Sequence, residues 1–154
     1  MLERFEQFSA AISAIYRDIQ KIEKSEMDRL GYKGAFAQYL VLLRRHPDGL
    51  AAAEICELCD RDKAAVSRVM AEMEDKGLVT RTGNAYRAKL TLTELGHDAA
   101  DYVACRAEVA VLEAGKGLSD RDRTIFYEAL ACISTNLQTL SNQVDSHNAV
   151  GLAS

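Results

Sequence analysis

Lys63, Ser67 and Arg68 recur at helical spacing, with Ala64 and Ala71 between and after them. Cations, a hydroxyl and small side chains on one helix face can donate hydrogen bonds to phosphates and base edges while the helix enters a major groove about 12 Å wide. Arg68 is the candidate for reading a base or anchoring a phosphate. Ser67 can serve either purpose, and Lys63 stands where a helix N-terminus already favours phosphate. Arg61 precedes this run; Arg81, Arg87 and Lys89 follow it. On a hairpin, these last three could reach a minor groove, adding affinity more than sequence reading. The competing explanation is a solvated charged helix surface. The basic hairpin beside the helix favours nucleic acid.

The chain carries a net charge of -4, which argues against nonspecific coating of nucleic acid. The distribution is uneven, however. Between Arg61 and Lys89 seven basic residues stand against four acidic ones, a local excess of +3 that leaves -7 for the rest. Such a segment attracts phosphate at one place only.

Other residues with chemistry are fewer. Cys56 and Cys59 form a Cys-x-x-Cys pair, as in a redox switch or half a zinc site. Both fall near the end of a short helix, beside Glu57 and Asp60, where the dipole and the carboxylates oppose thiolate formation. Buried structural thiols are expected instead. His46, His97 and His147 show no paired spacing that would complete a zinc site. Cys105 and Cys132, alone on expected helices, read as small core residues. With no nucleophile matched to a histidine, no glycine-rich phosphate loop and no recognisable carboxylate pair, neither an enzyme nor a cofactor is expected.

The elements that must position these residues follow from the apolar periodicity. At 154 residues and 17.0 kDa, with 48% apolar and 27% charged residues, the chain suits a single folded domain. Only residues 145–154 read as a flexible tail. No apolar run is long enough to span a bilayer, and Glu3, Glu6 and Asp18 interrupt the start of the chain as no signal peptide would allow. A soluble cytoplasmic protein with reduced cysteines is expected.

Helices are expected over Ala35–Arg45, Ala51–Cys59 and Lys63–Lys76, the last capped by Asp62 and stopped by Gly77. Its inner face would carry Val66, Val69, Met70 and Met73. Strands Leu78–Thr82 and Ala85–Leu92 then flank Gly83 and Asn84, a two-residue hairpin signal. A long helix over Thr93–Ala114 would end at Gly115 and Gly117, with Ser119 and Asp120 offering the next cap. The fold class is therefore α+β, mostly α: a winged helix-turn-helix at residues 35–93 with long helices at both ends.

Those terminal helices carry matching seams. Phe5, Phe8, Ile12, Ile15, Ile19 and Ile22 recur every three or four residues, as do Phe126, Leu130, Ile133, Leu137, Leu140 and Val144. The seams could pack within one chain. A central module of about 60 residues cannot cover three long amphipathic helices, however, so a homodimer held by residues 1–30 and 93–144 is the expectation.

The run Glu54-Ile-Cys-Glu-Leu-Cys-Asp-Arg-Asp-Lys-Ala-Ala-Val-Ser-Arg68, followed by Met73-Glu-Asp-Lys-Gly-Leu-Val79 and Leu92-Thr-Glu-Leu-Gly96, resembles the MarR family of bacterial transcription regulators. Ala37-Gln-Tyr-Leu-Val-Leu42 leading to His46-Pro-Asp-Gly49 is similar to that family's second helix. The resemblance implies a homodimer on a pseudopalindromic double-stranded DNA operator, usually a repressor released by a small ligand or by thiol oxidation. It also implies an effector crevice between the dimer helices and the winged module, for which Tyr16, Tyr32, Phe36 and Tyr39 are candidates. Two departures stand out. The wing lacks the family's Asp-x-Arg motif, and Ala64 and Ala65 replace hydroxyl residues near the start of the recognition helix. From the cysteine electrostatics, a small apolar or aromatic effector is expected in preference to oxidation. The alternatives are a protein-interaction module without operator binding and a cysteine-based redox regulator.

Overall fold

The computed structural model describes residues 2–83 and 88–151, with side chains described for 3–83 and 88–143. In chain order the elements are α1 (Leu2–Arg29), α2 (Phe36–Arg44), β1 (Leu50–Ala51), α3 (Ala52–Cys59), α4 (Lys63–Asp75), β2 (Val79–Thr82), β3 (Lys89–Leu92), α5 (Glu94–Ala114) and α6 (Asp120–Gly151). Two compact units divide the chain, one through Val109 and one from Ala110 onward.

The first unit holds the core. Phe36, Leu40 and Leu43 of α2, Ile55 of α3, Val66, Met70 and Met73 of α4, and Leu90 of β3 are all almost wholly inaccessible. Met27 of α1 and Ala100 and Val103 of α5 belong to the same cluster. Burial of apolar area at about 25 cal/mol per Å² makes this cluster the main source of the module's stability.

Helix ends follow the sequence signals. α2 stops before Pro47, and Gly49 takes φ 76° in the left-handed region that suits glycine. A Cβ there would also meet Thr91 Cγ2 at 2.6 Å, because the chain runs close to β3. α3 begins where the Glu54 carboxylate accepts from the Ala51 N–H at 2.6 Å. Asp62 caps α4 as expected, its Oδ1 accepting from the Ala65 N–H at 2.8 Å. Thr93 precedes α5; its hydroxyl donates to the Gly77 carbonyl at 2.6 Å and accepts from the Gly96 N–H at 3.0 Å. Gly96 is required there, since a Cβ would fall inside contact distance of the Leu78 carbonyl oxygen.

Two expectations about the strands need correction. Among the described residues the sheet has three antiparallel strands, in the order β1-β3-β2. β1 was not expected: Leu50 and Ala51 pair with Leu90 and Lys89, but two residues are too few to show alternation. The hairpin register sets Thr82 opposite Lys89, farther along the chain than a two-residue turn would bring it, and Asn84 of the expected turn lies outside the described residues. Residues 84–87, with Arg87 among them, lie outside the described residues.

Between α1 and α5, Glu26 accepts from the Tyr102 hydroxyl at 2.7 Å and pairs with Arg106 at 3.1 Å. Arg44 of α2 pairs with Asp101 of α5 at 2.5 Å. Along α1, Phe5, Ile12, Ile15, Ile19 and Ile22 remain exposed.

In the second unit, Gly117 adopts φ 88° and Ser119 caps α6, its hydroxyl accepting from the Asp122 N–H at 3.2 Å. α6 continues to Gly151, so helix extends past the Val144 that ends its apolar seam. Phe126, Ile133, Leu137 and Leu140 of that seam are exposed.

Candidate nucleic-acid interface

α4 has two faces. Val66, Met70 and Met73 point into the core and Val69 is half-buried, while Lys63, Ala64, Ser67, Arg68 and Ala71 are exposed. The apolar spacing thus aims the small and basic residues outward together. Among the described residues, neither Lys63 nor Arg68 is held by an ion pair or side-chain hydrogen bond, and both cations remain available to an anion. Arg61, in the turn before α4, is exposed as well. Lys63 stands at the first helical position, where unpaired N–H groups add their own positive field.

The hairpin residues divide. Lys89 is exposed at the start of β3. Arg81 of β2 is not free: its Nε donates to both carboxylate oxygens of Glu74, at 3.0 and 2.9 Å. Lys33 likewise holds the Glu72 carboxylate at 2.6 Å. Arg87 falls outside the described residues, so the structure places Arg61, Lys63, Ser67, Arg68, Arg81 and Lys89 on the exposed surface of one module without describing the wing tip.

The aromatic candidates do not converge on one pocket. Tyr32 and Phe36 lie together, ring centroids 6.4 Å apart, and line a groove of about 630 Å³ with Ala71, Glu72 and Lys76. Tyr16 is exposed on α1 and Tyr39 is buried in the core. A second groove, of about 540 Å³, was not legible from the sequence; Arg17, Gln20, Lys21, Glu23, Gln38 and Arg61 are among the residues that line it. These come from three separate segments with no shared period. Burial there raises the Glu23 carboxyl above the ordinary carboxylate range.

Cys56 and Cys59 are half-buried against the core. Burial pushes the Cys59 thiol up, and this outweighs the opposing pull of Arg61. Cys105 and Cys132 correct an expectation: both are exposed rather than core residues. They sit on long helices that bury little of their surface within one chain, so a small apolar side chain there is no guide to burial. Among the described residues, no three His, Cys, Asp or Glu side chains cluster to hold a metal, and no helix is long and apolar enough to cross a membrane.

A helix-turn-helix followed by a hairpin, with a small, basic, outward face on the second of the paired helices, defines a winged helix-turn-helix protein. Residues 30–88 match the model of the MarR family, and the chain has the MarR fold. It is similar to a MarR-family transcriptional regulator from Listeria monocytogenes solved with a 26mer DNA, at 21% identity over 83% of this chain and 87% of that one, TM-score 0.76. S. aureus MepR, solved as a DNA complex, superposes with TM-score 0.75 at 18% identity, covering 84% of this chain and 96% of its own. A MarR transcriptional regulator from Methanosarcina mazei Go1 gives TM-score 0.79 at 22% identity, covering 88% and 92% respectively. No curated protein matches the chain. The resemblance carried by residues 54–68, 73–79 and 92–96 is thus borne out in fold, and the family model covers the winged helix-turn-helix portion of the chain.

Proposed function

We propose that this protein is a sequence-specific, DNA-binding transcriptional regulator. It binds a pseudopalindromic operator as a homodimer, with one α4 entering the major groove at each half-site. The observation that carries this reading is the exposed face of α4, where unpaired Lys63 and Arg68 flank Ala64 and Ser67 opposite a fully apolar inner face. Arg68 reads a base, Ser67 and Lys63 engage phosphate, and the wing, with Lys89 and Arg87, adds sequence-independent affinity. Similar folds solved on DNA support the assignment.

The exposed apolar stripes of α1 and of α6 support the homodimer, since a second copy would cover surface that a monomer leaves in water. In this organisation residues 1–30 and 93–144 form the dimerisation helices and residues 35–93 the DNA-binding module. Control is by a small apolar or aromatic effector that favours one spacing of the two recognition helices, and the protein acts as a repressor released by it. A differential affinity of about 1 to 3 kcal/mol suffices to shift occupancy. The chain acts by binding, without catalysis.

The test is selection of operators from random duplexes, followed by titration at several salt concentrations. A selected two-half-site sequence bound with a steep salt slope is expected. Absence of salt-dependent retention on any duplex would replace this reading with that of a protein-interaction module.

A further inference from the structure

Glu74 is the residue that a DNA-facing helix should not carry. At about 100° per residue, Lys63, Ser67, Ala71 and Glu74 fall on one stripe of α4, separated by four, four and three positions. A carboxylate at the end of that stripe points the wrong charge toward a phosphate backbone. Yet both of its oxygens are engaged by a single donor, the Arg81 Nε, and the two side chains remain partly exposed at 46% and 30%.

We propose that Arg81 is a positioning residue that masks Glu74 and does not itself contact phosphate. The inference rests on the DNA-binding reading given above. A guanidinium spent on a carboxylate adds no net charge to the surface: the pair sums to zero, and the field of the face is left to Lys63, Arg68 and Arg61. Glu72, on the same half of α4, is neutralised in the same way by Lys33. Glu72 and Glu74, two of the three carboxylates in that half of the recognition helix, are thereby silenced from two sides, by the loop before α2 and by β2, while Asp75 stays exposed. The bond from Glu74 to Arg81 also ties the first wing strand to α4, so it sets where the hairpin begins relative to the groove.

A double-mutant cycle tests this, using the selected duplex and the full-length protein at several salt concentrations. Arg81→Ala alone is expected to weaken binding about tenfold by unmasking Glu74. The Glu74→Gln, Arg81→Ala double variant should return to within about twofold of wild type with an unchanged salt slope, because a neutral pair has replaced a neutral pair. Thermal melts of the free proteins separate this from misfolding, and the recovery in the double variant is itself a sign of an intact fold. A double variant as weak as Arg81→Ala, or one whose salt slope falls by about one, makes Arg81 a phosphate contact and overturns the proposal. If wild type binds no duplex, the DNA-binding reading fails and the masking role falls with it. If wild type binds and only the double variant stays weak, the masking role alone is lost.

Discussion

The Tyr102 hydroxyl on α5 donates to the Glu26 carboxylate in the last turn of α1, at 2.7 Å, and Arg106 from the next turn of α5 closes on the same carboxylate. The hydrogen bond from Tyr102, then that from Arg106, hold the Glu26 carboxyl below the ordinary carboxylate range against the cost of desolvation.

A group with a depressed folded pKa contributes stability that is fully present above its unfolded value, about 4.3 for a glutamate, and is lost as pH falls through the folded value. Tyr102→Phe should therefore be less stable than wild type at pH 7. The gap should narrow in acid, below about pH 4. Urea denaturation of both proteins across this range is the measurement; a gap that does not change with pH would assign the loss to packing.

Gly96 and Gly77 should respond differently to alanine. At Gly96 the added methyl collides with the Leu78 carbonyl, and relief requires moving α5 away from the end of α4, at a cost of about 3 kcal/mol. Gly77 has φ 71° and open space around its Cβ position, so Gly77→Ala costs only the left-handed backbone penalty of about 1 kcal/mol. Chemical denaturation of the two variants should rank them in this order.

Arg68→Ala is expected to weaken operator binding by about 1 to 3 kcal/mol and to relax discrimination at one base position. Lys89→Ala should weaken all duplexes alike and reduce the salt slope by about one. Titrations against operator and scrambled duplexes distinguish the two roles, and a neutral Arg68→Ala would show that α4 is not the reading helix.

On the exposed stripe of α1, Ile15 is 51% accessible. A carboxylate there would be buried without a partner in a dimer seam and harmless in water. Ile15→Glu should therefore shift the protein toward monomer at micromolar concentration in sedimentation equilibrium while leaving the far-ultraviolet circular dichroism unchanged. A dimer unaffected by the change would place the interface elsewhere.

Burial raises the Cys59 thiol, so mild peroxide should leave operator binding intact in wild type and in the Cys56→Ser, Cys59→Ser double variant alike. Reversible loss in wild type alone would make the pair a sensor.

Local signals proved legible where a short stretch of chain decides its own conformation. The inner face of α4 follows its own helical period, and the Asp62 cap and the bond from the Gly96 N–H to the Thr93 hydroxyl join groups within one turn. The sheet was harder because its pairings join distant residues: Leu50 meets Leu90 across forty positions, and no spacing in the sequence records that. The same limit hid the partner of Arg81. Its charge marked it as a candidate DNA contact, but only the packing of β2 on α4 brings Glu74 within reach. Cys105 and Cys132 were misplaced because a small apolar residue on a long helix is compatible with either face.

The two-residue strand β1 makes Ala51 a shared joint. It lies opposite Lys89 in the inner wing strand, and its N–H is also held by the Glu54 carboxylate that starts α3. The wing is thus hinged to the front of the helix-turn-helix, not hung from the end of α4 alone. A strain entering at α3 reaches β3 through one peptide unit, so α3 and the wing behave as opposite arms of one lever, with its fulcrum in the backbone between Leu50 and Ala52.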